Sequence, residues 1–217
     1  MSGKLTYAIL GTLEIKDGRR IVPIAAAKQR ILLACLLLDA GRQTSLTELY
    51  EALWGDDPPA APKAAVHNYM GRLRKVLGDE GIETTPNGYR LVVEPGRVDL
   101  LRFRRLVGQA RQFRRNGDLL EESRVLGEAL ALWRGPALAD VPSERLQRYE
   151  VPGLTEERIS ALERRIAVDL DLGLHADLTT ELRVLTTRFP LRERFWSQLI
   201  LALHRDDRSV EALSVYH

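Results

Sequence analysis

The stretch Ala61-Pro-Lys-Ala-Ala-Val-His-Asn-Tyr-Met-Gly-Arg-Leu-Arg-Lys-Val-Leu-Gly78 decides how the rest of this 217-residue chain is read. It carries the cations Lys63, Arg72, Arg74 and Lys75 and no carboxylate, although carboxylates nearly balance cations elsewhere. Wound as an α-helix at about 100° per residue, Val66, Met70, Leu73 and Leu77 stack on one side, with Tyr69 and Val76 at its shoulder. His67, Asn68, Arg72 and Lys75 fall on the other side, around the small residues Ala64 and Gly71. A face that is small in the middle and cationic or amide-bearing at its edges can lie close to a nucleic-acid groove.

Working outward, the flanking elements give this helix a setting. Before it, Leu5, Tyr7 and Ile9 alternate as a strand, Gly11 breaks the run, Leu13 and Ile15 resume it, and Asp17-Gly18 marks a turn before Ile21 to Ile24. Helical spacing starts near Ala26 and stops at Ala40-Gly41. Ser45, with Glu48 three residues on, predicts an N-cap and capping box for a second helix bearing Leu46, Leu49, Tyr50, Leu53 and Trp54. The pair Pro58-Pro59 excludes continued helix, so Gly55 to Pro59 is a loop. After Gly78, Ile82 to Val93 reads as two short strands around Pro86-Asn-Gly88, with Gly88 supplying positive φ and Tyr89 packing inward. Strands, three helices and a hairpin are the layout of an α+β winged helix-turn-helix domain, assigned to residues 1–96.

From Val98 the pattern is helical only, over 101–115, 119–133, 154–172, 178–189 and 195–203, punctuated by Gly117-Asp118, Gly135-Pro136, Gly173 and Pro190. Leu178 and Leu182 recur 34 positions later as Ala212 and Tyr216, which predicts tetratricopeptide-like helix pairs over residues 97–217. A further amphipathic helix begins near Val210 without a closing element, so this all-α domain is expected to be truncated at its C-terminal end.

Composition narrows the function classes. A formal charge of +2 gives no global field toward nucleic acid, so any such binding is local. The single cysteine, Cys35, lies in an apolar run of 8 residues, Ile31 to Leu38, and reads as a core thiol. That run is far short of the ~20 residues that span a bilayer. The start Met1-Ser-Gly-Lys4 has no signal-peptide core, so a cytoplasmic protein without a membrane partner is expected. His67, His175, His204 and His217 have no Cys or His at ligand spacing, and Ser143 and Ser160 lack a nucleophile-elbow context. The expectation is therefore a non-enzyme without metal or cofactor. No Gly-x-x-x-x-Gly-Lys-Ser/Thr loop occurs, which excludes an ATPase module of that type from this sequence.

Several strings in order resemble the Streptomyces antibiotic regulatory protein family over nearly the whole chain. They are Ile9-Leu-Gly-Thr-Leu-Glu14, Lys28-Gln-Arg-Ile-Leu-Leu33, Ala40-Gly-Arg42, Leu53-Trp-Gly-Asp-Asp-Pro-Pro59, His67-Asn-Tyr-Met-Gly-Arg-Leu-Arg-Lys75 and Pro86-Asn-Gly-Tyr-Arg-Leu91. Ala131-Leu-Trp-Arg-Gly135, Leu172-Gly-Leu-His175, Pro190-Leu-Arg-Glu193 and Glu211-Ala-Leu213 with Tyr216 continue the match. Gly71 stands where the family commonly has serine, and Thr85 where its wing often has arginine. The resemblance implies an OmpR-like winged helix joined to a bacterial transcriptional activation domain. It also implies an activator that binds direct repeats of double-stranded promoter DNA upstream of biosynthetic genes, as a homodimer on DNA. The implied protein partner is RNA polymerase, through its sigma subunit or its alpha C-terminal domain.

The residues assigned to DNA follow from both readings. Asn68 suits bidentate pairing with adenine and Arg72 with guanine, while Lys63 and Lys75 suit phosphate. His67 shares their face. Arg74 lies near the apolar edge and either spans to phosphate or pairs with an acid of its own domain. Thr84, Thr85, Asn87 and Arg90 of the hairpin would reach a minor groove or backbone. Lys28 and Arg30 suit either phosphate contact or a surface role. Asp56 and Asp57 form either a solvated connector or, by the resemblance, the contact to sigma. A rival reading remains: a tetratricopeptide-type adaptor whose winged helix binds protein.

Overall fold

The computed structural model describes residues 5–78 and 81–216, the side chain of Tyr216 excepted. The start Met1 to Lys4 and His217 lie outside the described residues. Two compact units emerge: residues 1–104 with 131–156, and residues 105–130 with 157–217. The division at 96/97 used above follows the change in sequence pattern, whereas these units follow packing, and the two partitions differ.

In the first unit, β1 (Leu5–Ala8), β2 (Glu14–Asp17) and β3 (Arg20–Ile21) form an antiparallel sheet in that order. Tyr7 pairs with Ile15 across β1 and β2. Gly18 at φ 59° makes the expected turn between β2 and β3. Three helices follow, α1 (Ala27–Leu38), α2 (Leu46–Trp54) and α3 (Pro62–Leu77). In α1 every residue from Ile31 to Leu37 is buried, because α2, α3 and a second sheet surround it. Such a helix is apolar all round rather than amphipathic. Burial pushes the Cys35 thiol up to about 12, which leaves it an inert core group.

The capping box of α2 forms as expected. Ser45 Oγ accepts from Glu48 N at 3.2 Å, and Glu48 Oε2 accepts from Ser45 N at 2.7 Å. The second sheet contains a strand not legible in the sequence, β4 (Gln43–Ser45), in the order β4-β6-β5 with β5 (Ile82–Thr85) and β6 (Gly88–Leu91). Thr85 pairs with Gly88, so Pro86-Asn87 is the turn. This corrects the reading of Gly88: its φ is not positive. It is glycine because a Cβ there would lie 2.0 Å from the carbonyl oxygen of Thr44 on β4.

The first unit continues past the hairpin. Val98 forms a parallel bridge to Tyr7, and α4 (Asp99–Arg115) begins at once. Both carboxylate oxygens of Asp99 accept from Ile9 N, and one accepts from Leu10 N, each at 2.9 Å. Burial raises the Asp99 carboxyl, opposed by these amides and by Arg134. α5 (Leu119–Leu130) stops short of the expected Trp133. Trp133 instead meets Phe103 edge-on, ring centroids 5.5 Å apart. Residues 131–143 then run along the first sheet and α2 without forming an α-helix. Arg134 N donates to Leu10 O at 2.8 Å, Leu138 N to Ile9 O at 3.0 Å and Leu13 N to Asp140 Oδ1 at 2.7 Å. Ser143 Oγ donates to Ala52 O at 2.7 Å, and Arg145 Nε to Glu51 Oε2 at 2.9 Å.

α6 (Val151–Asp171) is entered through a π-helical turn over Leu146–Glu150, in which Val151 N donates to Leu146 O. Pro152, just inside α6, has no N–H to give the preceding turn, so a local widening is tolerated there.

The second unit holds the later parts of α4 and α6, with α5, α7 (His175–Arg188), α8 (Glu193–Arg205) and α9 (Ser209–Tyr216). Ile166, Leu170, Leu178, Leu182, Phe195 and Leu199 lie in one core, to which Ala212 also belongs. The 34-residue recurrence of Leu178 at Ala212 therefore places both in that core, while the side chain of Tyr216 is outside the described residues. Glu122 of α5 is fully buried and is matched by Arg164 at 2.5 Å and by Arg114 at 3.4 Å. Among the described residues, no helix is long and apolar enough to cross a membrane.

Candidate nucleic-acid interface

Helix α3 starts with Pro62 at its first position and ends at Gly78, φ 89°, so sequence sets both ends. Its buried residues are the four expected ones, Val66, Met70, Leu73 and Leu77. Burying each contributes on the order of 1.5–3 kcal/mol, which fixes the rotation of the helix about its axis. The same rotation exposes Lys63, His67, Asn68, Arg72 and Lys75. Among the described residues, Lys63, Arg72 and Lys75 have no hydrogen-bond or ionic partner. A Cβ on Gly71 would meet nothing within 4 Å, so the gap in the centre of this face is open. In the last turn of the helix, Arg74 and Lys75 complement the macrodipole.

Arg74 resolves differently. Its Nε donates to Ile82 O at 3.0 Å and a terminal nitrogen donates to Thr84 Oγ1 at 2.8 Å, with the guanidinium 5.8 Å from the Tyr89 ring centroid. Arg74 is held inside its own domain, but by a carbonyl and a hydroxyl rather than by the expected acid. On the wing, Arg90 forms a cross-strand pair with Glu83, Nε to Oε2 at 3.1 Å. Asn87 is exposed at the turn, and its carbonyl accepts from Leu46 N at 3.0 Å, tying the wing tip to the start of α2. Thr85 Oγ1 is buried and has no hydrogen-bond partner among the described residues. Lys63, His67 and Asn68 of α3 face Thr84, Thr85 and Tyr89 across a groove of about 600 Å³.

Lys28 and Arg30 are both occupied. Lys28 Nζ donates to Leu53 O near the C-terminal end of α2 and sits 5.7 Å from the Trp54 ring centroid. Arg30 pairs with Asp140 and donates to Ile24 O at 3.3 Å.

Asp56 and Asp57 are exposed on the loop that leaves α2 at Gly55, φ 60°. The loop lines a groove of about 720 Å³ together with Arg145, Arg148 and Tyr149. Sequence reasoning did not find these three residues. Their signal, a polar stretch after Pro142-Ser143, lies some ninety positions from the loop it meets.

A three-helix core with a hairpin beside an outward-cationic third helix defines a winged helix-turn-helix regulator, here continued by a helical array. Comparison with known proteins agrees over both parts: residues 24–91 match the family model "Transcriptional regulatory protein, C terminal", and residues 98–217 match "Bacterial transcriptional activator domain". The chain belongs to the Streptomyces antibiotic regulatory protein family of transcriptional regulators. It is 43% identical to the regulatory protein AfsR of Streptomyces coelicolor over 99% of this chain and 22% of that protein. It is 36% identical to the regulatory protein DnrI of Streptomyces peucetius over 92% of this chain and 77% of that one. A solved structure of Mycobacterium tuberculosis EmbR in complex with a low-affinity phosphopeptide superposes with a TM-score of 0.93 at 31% identity, covering 98% of this chain and 58% of that one. The chain thus spans about a fifth of AfsR and just over half of that EmbR chain.

Proposed function

We propose that this chain is a sequence-specific DNA-binding transcriptional activator, acting in the cytoplasm on promoters of biosynthetic genes. One observation carries the reading: the outward face of α3 combines cations that have no partner among the described residues with an open centre at Gly71, while its wing is braced from behind by Arg74. In this role α3 enters the major groove. Asn68 and Arg72 read base edges, and Lys63 and Lys75 set register on phosphates. Two copies bind head-to-tail on direct repeats about one helical turn apart. The exposed carboxylates of Asp56 and Asp57 offer a basic surface of polymerase, the sigma subunit, a complementary contact.

The test is footprinting of the 217-residue chain on the promoters neighbouring its own gene. Two protected tracts spaced by about 10–10.5 base pairs, centre to centre, are expected. Absence of any protected tract, with the chain folded by circular dichroism, would refute the reading. An adaptor whose winged helix binds protein gives that negative result.

A further inference from the structure

On the outward half of α4 we propose a second nucleic-acid contact, one that grips the phosphate backbone of duplex DNA without reading its sequence. The inference rests on the DNA-binding reading above and extends the contact beyond α3 and its wing.

Helix α4 carries six arginines, and its only carboxylate is Asp99. That carboxylate is buried and occupied by the amides of Ile9 and Leu10, so it does not offset the outer charge. At about 100° per residue, Arg105, Gln109 and Gln112 form one exposed row, and Arg111 with Arg115 a second beside it. Phe103, Leu106 and Ala110 are buried on the other side of the helix. Among the described residues, Arg102, Arg105, Arg111 and Arg115 have no hydrogen-bond or ionic partner. Their neighbour Arg114 shows the contrast, since it pairs with Asp171 at 2.9 Å and with Glu122.

The chemistry of these rows favours phosphate over an acidic protein. Every side chain in them can donate hydrogen bonds, and none is a carboxylate. A protein-binding surface of this length would carry apolar or aromatic anchors at its centre. None of the large hydrophobic residues exposed in this structure lies on α4. Phosphate contacts require only donors and charge, which is what this face offers. At ~1.5 Å per residue the helix extends for about 25 Å, against ~3.4 Å between successive phosphates of one strand.

The experiment is fluorescence anisotropy of the full chain on a labelled duplex of random sequence, about 40 base pairs long, titrated from roughly 50 to 200 mM salt. Wild type is compared with R105Q/R111Q/R115Q, which keeps hydrogen-bond donors and removes charge, and with R105K/R111K/R115K, which restores it. The Gln variant is expected to bind at least about tenfold more weakly at 100 mM salt, with a log–log slope shallower by about 2–3, at ~0.9 for each phosphate no longer neutralised. The Lys variant should lie close to wild type. Single variants R105Q, R111Q and R115Q each read about 0.9 of slope, should the triple variant not fold.

A Gln variant that binds with the wild-type slope and affinity overturns the inference and leaves docking of an acidic protein as the reading of this face. Wild type failing to bind the duplex at any salt concentration overturns both this inference and the DNA-binding reading beneath it. The two failures are therefore distinguishable.

Discussion

The guanidinium of Arg74, on the last turn of α3, donates to the hydroxyl of Thr84, on the first strand of the wing, at 2.8 Å. A second donation, to Ile82 O, makes the link two-pronged. The cation closest to the apolar edge of α3 is thereby committed to positioning the wing. Arg74→Ala is expected to weaken DNA binding about 5–10-fold, the worth of one or two hydrogen bonds at ~0.5–1.5 kcal/mol each, without changing the salt slope. A slope shallower by ~0.9 would show that Arg74 touches phosphate after all.

Lys75→Ala should do the opposite on that axis. Its side chain is exposed on α3, so its loss is expected to flatten the log–log salt slope by about 0.9. Asn68→Ala should relax base preference at one position of the site, worth ~1–3 kcal/mol of discrimination, as read by binding to a set of single-base operator variants. Equal weakening on every variant would remove Asn68 from the base-reading set.

Gly71 and Gly88 make a matched pair. A Cβ at Gly71 meets nothing, so Gly71→Ala should stabilise the fold by about 0.5–1 kcal/mol through helix propensity. The same methyl fills the open centre of the face and is expected to weaken DNA binding. Gly88→Ala drives a Cβ to within 2.0 Å of Thr44 O, so it should destabilise the β4–β6 pairing. Chemical denaturation of both variants separates these outcomes; equal stability of the two would contradict them.

Stability should fall in acid through the capping box of α2. Its hydrogen bonds to Ser45 hold the Glu48 carboxyl below the usual carboxylate range. A carboxyl lowered on folding contributes above its unfolded value, about 4.5, and loses that contribution as pH falls through the folded value. Ser45→Ala is expected to cost about 1 kcal/mol near neutral pH. In Glu48→Gln the acid-dependent part should shrink, as read by thermal melts at several pH values below about 5.

Within the first unit, what the sequence made legible and what it concealed divide by distance along the chain. The buried face of α3 (Val66, Met70, Leu73, Leu77), the Ser45–Glu48 cap and the inward Tyr89 are local signals, and each appears as read. Gly88 misled because Asn-Gly suggests a turn centre, whereas the constraint on it comes from Thr44 on another strand. β4 escaped notice because three residues do not establish an alternation. The stretch 134–143 has no periodicity; its order comes from bonds to Leu10, Ile9 and Ala52, and pattern reading does not reach that far. Asp99→Ala tests the point: it removes the acceptor of three buried amides, those of Ile9, Leu10 and Leu100, and a cost of about 2–5 kcal/mol to the first unit is expected.

For the Asp56–Asp57 loop, the double change to Asn should reduce transcription from a dependent promoter while leaving DNA affinity unchanged. Because Arg145, Arg148 and Tyr149 wall the same groove, Tyr149→Ala should reduce transcription in the same way. Promoter assays and anisotropy on one set of proteins measure both. A parallel loss of DNA binding would move the loop into the DNA contact.

The central claim is that α3 presents its exposed cations to a duplex. Equilibrium binding of wild type and Arg72→Ala/Lys75→Ala to a footprinted promoter duplex at about 100 mM salt measures it most directly. The account predicts at least a ~100-fold loss in the double variant, two charged contacts at ~1.5–3 kcal/mol each, with the fold unchanged by circular dichroism. Wild-type affinity in the folded double variant would contradict it.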